Sequence, residues 1–153
     1  MLTIVPAADQ VIFGAPKKTQ WSDSNQIEVE TFAGHRALRL QNRQAPFYKP
    51  EAPVPVAGYT AFRFLFYPGE IEAATTNRIQ VYINGNRTNI FPLSDFGITL
   101  DLEQAQWQEV IVPLDSFGLN PGDAIESIFF TINLKGEAHL AEIRLLRAQP
   151  SFN

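Results

Sequence analysis

The chain of 153 residues contains no cysteine, which removes disulfides, thiolate metal sites and cysteine nucleophiles together. Its two histidines, His35 and His139, lie far apart with no cysteine to join them, so their spacing spells no transition-metal site. Lys and Arg are scattered along a chain of formal net charge −4, with nothing longer than the pair Lys17-Lys18. With no basic block, no nucleic-acid partner is expected. No stretch approaches the roughly 20 apolar residues of a membrane helix, so no membrane insertion is expected either. A phosphate-cradling Gly-rich loop is also missing. The start, Met1-Leu-Thr-Ile-Val-Pro-Ala-Ala-Asp-Gln10, lacks the basic opening and long apolar run of a signal peptide. The expectation is an excised module, extracellular or on the cell surface, whose address lies on a longer parent protein.

What the chain does have is alternation. Phe is abundant (12 residues), Val, Ile and Thr are spread throughout, and the hydrophobic fraction is 45%, a strand-prone composition for a folded globule. In Tyr59-Thr-Ala-Phe-Arg-Phe-Leu-Phe-Tyr-Pro-Gly69, Phe62, Phe64 and Phe66 share one face and Arg63, Leu65 and Tyr67 the other. In Arg78-Ile-Gln-Val-Tyr-Ile-Asn-Gly85, Ile79, Val81 and Ile83 oppose Gln80 and Tyr82, and Asn84-Gly85 is a tight-turn dipeptide. The same period of two aligns Val110, Val112 and Leu114, and again Ile128, Phe130, Ile132 and Leu134, before a last strand around Leu140-Ala-Glu-Ile-Arg-Leu145. About eight strands with turn signals between them predict an all-β sandwich or barrel. No linker splits the chain, so one domain is expected over residues 1–153, with an ordered core from about 10 to 148.

Other stretches are less regular. Residues 17–26 are polar and read as a loop anchored by Trp21, and residues 102–105 are the one candidate helical turn. Pro46, Pro50, Pro53 and Pro55 crowd ten residues, which predicts extended backbone unable to sit in mid-sheet. Pro92-Leu-Ser-Asp-Phe-Gly97 echoes Pro113-Leu-Asp-Ser-Phe-Gly118, but the flanks do not repeat. The echo reads as one strand-end chemistry used twice: Asp and Ser turn, Phe packs back, Gly takes the left-handed dihedral.

Catalysis finds little support. Acid–base work needs paired carboxylates across a cleft, and Glu28, Glu30, Glu109 and Glu126 read as solvated charges on strand faces or turns. His35, beside a Gly turn, and His139, before the last strand, read as surface residues without a nucleophile turn. Binding has more material. The faces opposite the core rows carry Arg63, Leu65, Tyr67, Gln80, Tyr82, Asn84, Phe129, Thr131 and Asn133. Flat aromatics pack on pyranose C–H surfaces and planar polar side chains pair with sugar hydroxyls. The same pattern also suits a plain solvent-facing sheet. Phe129, out of phase with the core row, is either covered by the proline-rich segment or faces a ligand.

Gly34-His-Arg-Ala-Leu-Arg-Leu40, Gly58-Tyr-Thr-Ala-Phe-Arg-Phe64, the run from Trp107 to Gly118, and Ala141-Glu-Ile-Arg-Leu145 occur in an ordered series that resembles the bacterial jelly-roll carbohydrate-binding modules. That resemblance implies a two-sheet antiparallel β-sandwich, a galactose-binding-like jelly roll, with no catalytic residues and a polysaccharide or oligosaccharide bound on a concave sheet. By matching position it implies Arg63, Tyr67, Gln80 and Tyr82 in the groove and Tyr48 at its edge. With Asn133 added from strand phase, the expected mechanism is stacking by Tyr67 and Tyr82 with hydrogen bonds from Arg63, Gln80 and Asn133. Many members carry a structural calcium held partly by an acidic residue on the last strand. Here that place holds Glu142 alone, and Phe13-Gly14-Ala15 replaces a second acidic position, so no cofactor is expected. Trp107 and Trp21 are expected to pack, not to line the groove. The alternative reading is a structural or protein-interaction sandwich with no sugar ligand.

Overall fold

A computed structural model of the chain describes residues 8–148 except 16–18, 24, 25, 42 and 99. Residues 1–7, on which the signal-peptide reading rests, lie outside the described residues. The strands in chain order are β1 (Gln10–Phe13), β2 (Trp21–Asp23), β3 (Val29–Phe32), β4 (His35–Gln41), β5 (Phe47–Pro50), β6 (Val54–Pro55), β7 (Tyr59–Ile71), β8 (Arg78–Ile83), β9 (Asn86–Phe91), β10 (Gln108–Pro113), β11 (Ala124–Ile125), β12 (Ile128–Asn133) and β13 (Gly136–Arg147). A 3-10 helix, Leu114–Phe117, follows β10.

These strands form two antiparallel sheets. One runs β10-β7-β13-β4-β3, with β1 also paired to β13; the other runs β2-β5-β12-β8-β9, and β6 pairs with β11 alone. This is the expected all-β two-sheet jelly-roll sandwich. Period-two alternation turns one face of each strand inward, and the two inward faces meet as an aromatic seam. Phe62 and Phe64 from β7 and Phe130 from β12 are fully buried. The Phe130 ring centroid lies 5.3 Å from that of Phe64, edge to face, and 5.7 Å from that of Phe62. Ile79, Val81 and Ile83 line the same interior from β8, as do Val112 from β10 and Leu140 from β13.

The turns follow their residues. Asn84 and Gly85 both take positive φ, 52° and 80°, the double left-handed turn that joins β8 to β9 with the twist of the strands. Both echo segments fold Phe back onto the core, Phe96 partly and Phe117 fully, and both end on a left-handed glycine, Gly97 at 86° and Gly118 at 71°.

Some local expectations change. The expected helical turn at residues 102–105 is a simple turn, and the helical geometry falls at Leu114–Phe117 instead. The loop around Trp21 contains the edge strand β2. The proline-rich stretch does enter mid-sheet, because β5 pairs β2 on one side and β12 on the other. Pro46 and Pro50 bracket the strand, so the residues between them keep their ladder, and the Pro46 carbonyl still accepts from the Phe130 amide at 2.9 Å.

Truncating Phe130 opens a cavity where both sheets meet. Phe130→Ala is expected to cost about 3–5 kcal/mol, measured as a fall in the urea midpoint of unfolding. A loss below about 1 kcal/mol would show that the seam is not where the sheets are held.

Candidate functional site

The sandwich has two outer faces, and they are built differently. The outer face of the six-stranded sheet is closed by its own side chains. Phe32 from β3 stacks on His139 from β13, centroids 3.6 Å apart and planes within 3°. Tyr67 and Trp107 pack edge-on against Phe32 at 4.9 and 6.2 Å, and His35 meets Trp107 at 5.1 Å. The Trp107 indole N–H donates to the Ala33 carbonyl at 3.0 Å, so this tryptophan packs, as does the buried Trp21. Trp107 and Phe32 thereby pack over Ala37, Leu65 and Ala141.

Ion pairs finish this face. Arg63 Nε donates to Glu109 at 2.8 Å, and Arg39 grips Glu137 through two bonds of 2.9 and 3.1 Å. Those bonds, aided by the guanidinium charge, hold the Glu137 carboxyl below the usual carboxylate range against the opposing effect of burial. His139 is not a surface residue: it is 3% exposed, and its Nε2 lies 2.6 Å from Glu30 Oε1. A carboxylate only accepts, so Nε2 is the donor of this pair, and the buried Nδ1 has no hydrogen-bond partner. Beyond this cluster lies a cleft of about 670 Å³ lined by Phe32, Gln41, Gly69, Glu70, Gly136, Glu137 and His139.

Glu142 occupies a bulge at φ 49°, where the partner of β13 changes from β4 to β1. Its carboxylate accepts from Arg144 at 2.8 Å and faces His35 Nδ1 at 3.6 Å, while the same Arg144 nitrogen donates to the Ala15 carbonyl. Gly14 makes room: a Cβ there would stand 3.0 Å from the Glu142 carboxylate. A guanidinium thus sits among the oxygens at this end of β13. Among the described residues no group of three or more His, Cys, Asp or Glu could hold a metal ion.

The outer face of the five-stranded sheet is an ordered platform. Cross-strand register aligns Phe47 of β5, Phe129 of β12, Tyr82 of β8 and Arg87 of β9 in one row. Phe129 and Tyr82 stack at 4.5 Å and 12°, and Phe47 tilts against Phe129 at 6.4 Å, geometry worth about 0.5–1.5 kcal/mol per aromatic pair beyond area burial. Two residues along, Thr131, Gln80 and Asn89 form a polar row. Thr131 donates to Gln80 Oε1 at 3.1 Å, Gln80 Nε2 donates to Asn89 Oδ1 at 3.0 Å, and Asp95 holds the Asn89 amide N–H at 2.8 Å. Each amide keeps donors and acceptors to spare, because an Asn or Gln head offers two of each. Beside Phe47 a depression of about 470 Å³ is lined by Lys49, Pro50, Glu51, Pro53, Glu126 and Ser127.

The six residues expected to form one groove are therefore divided. Gln80, Tyr82 and Asn133 face outward from the five-stranded sheet, with Asn133 Nδ2 donating to the Thr76 carbonyl at 3.1 Å. Arg63 and Tyr67 face outward from the six-stranded sheet, on the opposite side of the sandwich. Tyr48 points inward and is 2% exposed; its neighbour Phe47 takes the outward place. Strand phase separates inward from outward but does not say which sheet a strand joins, and the chain crosses sheets between β7 and β8. Asn84 is also structural, donating to Ala124 and accepting from the amides of Glu126 and Ser127. Asn89 and Arg87 went unread because β9 puts a polar residue inward: Thr88 is fully buried and donates to the Ser116 carbonyl.

No protein-family model matches the sequence, and no curated protein matches it. Solved structures do match. The family 11 carbohydrate-binding module of a cellulosomal cellulase of Clostridium thermocellum is 15% identical, over 98% of this chain and 99% of that one, at a TM-score of 0.57. A family 28 module specific for non-crystalline cellulose is 12% identical, over 92% and 98%, at 0.55. A family 29 module variant complexed with mannohexaose is 11% identical, over 92% of each, at 0.52. At these identities the likeness is one of fold, and the chain has the fold of the jelly-roll carbohydrate-binding modules.

The Arg39–Glu137 pair has a pH signature. The folded Glu137 value is depressed, so its stabilising effect is present above the ordinary glutamate range and is lost as pH falls through the folded value. A carboxyl titration followed by NMR is expected to place Glu137 below ordinary glutamates, and Arg39→Gln to bring it back to them. An unchanged titration in the variant would mean another group sets it.

Proposed function

We propose that the protein is a non-catalytic carbohydrate-binding module that holds a glycan on the outer face of its five-stranded sheet. One observation carries the reading. An aromatic row, Phe47-Phe129-Tyr82, lies in register beside a hydrogen-bonded polar row, Thr131-Gln80-Asn89, and all six residues remain partly exposed. The aromatic ridge supplies apolar surface for the C–H side of a pyranose, and the amide row supplies paired donors and acceptors for hydroxyls. Because the rows are ordered by contacts to each other, little side-chain entropy is left to lose on binding.

The role extends to a setting. The module would keep a larger secreted or cell-surface protein near polysaccharide; the family 11 module of similar fold is itself part of a cellulosomal cellulase. Catalysis on the opposite face is disfavoured because Glu30, Glu109, Glu137 and Glu142 are each tied there to a histidine or arginine. A sandwich serving only protein contacts calls for a continuous apolar face. The exposed large hydrophobics described are Val29 on β3 and Leu93 and Ile98 in the loop after β9, in separate parts of the chain.

Affinity electrophoresis across immobilised β-glucans, mannans, xylans and pectins tests the assignment. Tyr82→Ala is expected to weaken binding of the retained glycan about thirtyfold, from a loss of about 2 kcal/mol for a central aromatic contact. Tyr67→Ala, on the opposite face, is expected to leave it unchanged. Equal losses in both variants at unchanged melting temperature, or no retained glycan at all, would contradict the assignment.

A further inference from the structure

We infer that the glycan held on this platform is an acidic polysaccharide, one whose repeating units carry carboxylate or sulfate groups. The inference rests on the platform reading above and adds the charge of the ligand. It comes from an asymmetry between the two outer faces.

On the six-stranded sheet the outward cations are neutralised internally. Arg39 is paired with Glu137 and Glu28, Arg63 with Glu109, Arg144 with Glu142, and both histidines stand against carboxylates. On the five-stranded sheet three cations face outward in phase with the platform residues: Lys49 on β5, Arg78 on β8 and Arg87 on β9. Among the described residues none of the three joins an ion pair; Arg78 only donates to the Asn77 carbonyl at 3.5 Å. All three are exposed. The outward positions of these strands carry no carboxylate to answer them. The flanking acids are Asp95, engaged with Asn89, Asp23 at the end of the edge strand β2, and Glu51 and Glu126 at the rim of the depression that Lys49 also lines. In a chain of net charge −4, the outward strand positions of the platform itself therefore carry cations outside any ion pair, with the carboxylates confined to its rims.

Their spacing says what kind of anion fits. Arg87 is in register with Tyr82, Arg78 is four residues along β8 from Tyr82, and Lys49 lies on the far side of β12. At about 4.8 Å between strands and about 3.4 Å per residue, their Cα atoms stand roughly 14–22 Å apart. No single phosphate or carboxylate bridges such distances. A chain bearing an anion at intervals does, while its rings lie over Phe129 and Tyr82 and its hydroxyls meet Gln80, Asn89 and Thr131. A nucleic acid is the other polyanion with rings. Single-strand binding draws its affinity from many phosphate contacts along a basic groove, and three cations in a chain of net charge −4 supply few of them.

The test uses the intact chain in affinity electrophoresis against polygalacturonate and alginate, chondroitin sulfate, mixed-linkage β-glucan and glucomannan, and a single-stranded oligonucleotide. Retention by a carboxylated or a sulfated glycan, weakened at least tenfold by 0.5 M salt (about 4 Å Debye length), is the expected result, and the two glycan types identify which anion is read. Arg87→Gln and Lys49→Gln are each expected to weaken that retention about three- to tenfold. Arg63→Gln, with the same change in net charge on the opposite face, is expected to have no effect. Preference for the neutral glycans, insensitive to salt and to Arg87→Gln, would overturn the acidic ligand and leave the platform standing. Retention by no glycan would overturn both, as would capture of the oligonucleotide above every glycan. Melting curves of the variants separate binding loss from unfolding.

Discussion

Everything in this molecule depends on the aromatic seam where Phe62 and Phe64 of one sheet meet Phe130 of the other. Burying those rings fixes the phase of β7 and β12, because a shift of one residue would turn each row to solvent. Once the inward residues are set, so are the outward ones. Phe129 and Thr131 can only face away from the core, beside Tyr82 and Gln80 on the neighbouring strand. The outward platform is the reverse side of the packing solution.

The two outer faces then took different roles. On the six-stranded sheet, Trp107 and Phe32 fold over the strands and the charged residues pair off, with a cleft beyond the cluster. On the five-stranded sheet, side chains are ordered by contacts along the surface, and the amides and three cations keep hydrogen-bonding and charge capacity for something else. A face that satisfies itself stabilises; a face that is ordered but unsatisfied is prepared for a partner.

Much of the fold was legible in the sequence because alternation is a local signal. The rows Phe62-Phe64-Phe66 and Ile128-Phe130-Ile132 are inward as the pattern requires, and Asn84-Gly85 turns as its composition requires. The candidate site was only half legible. Gln80, Tyr82 and Asn133 share a face, but Arg63 and Tyr67 are on the other sheet, since β7 and β8 are neighbours in sequence and not in space. Tyr48 was lost to a one-residue question of phase inside a proline-bracketed strand, and Phe47 with it. His139 was misread because nothing local announces that Phe32, more than a hundred residues earlier, will stack on it. Long-range pairing is what alternation leaves out.

The most direct measurement is chemical-shift mapping on isotope-labelled protein titrated with oligogalacturonate and, separately, with a cello-oligosaccharide. Saturable shifts confined to the amides of Gln80, Tyr82, Asn89, Phe129 and Thr131 are the result this account predicts. Shifts centred instead on Phe32, Tyr67, Trp107 and Glu137 would move the site to the opposite face and contradict it.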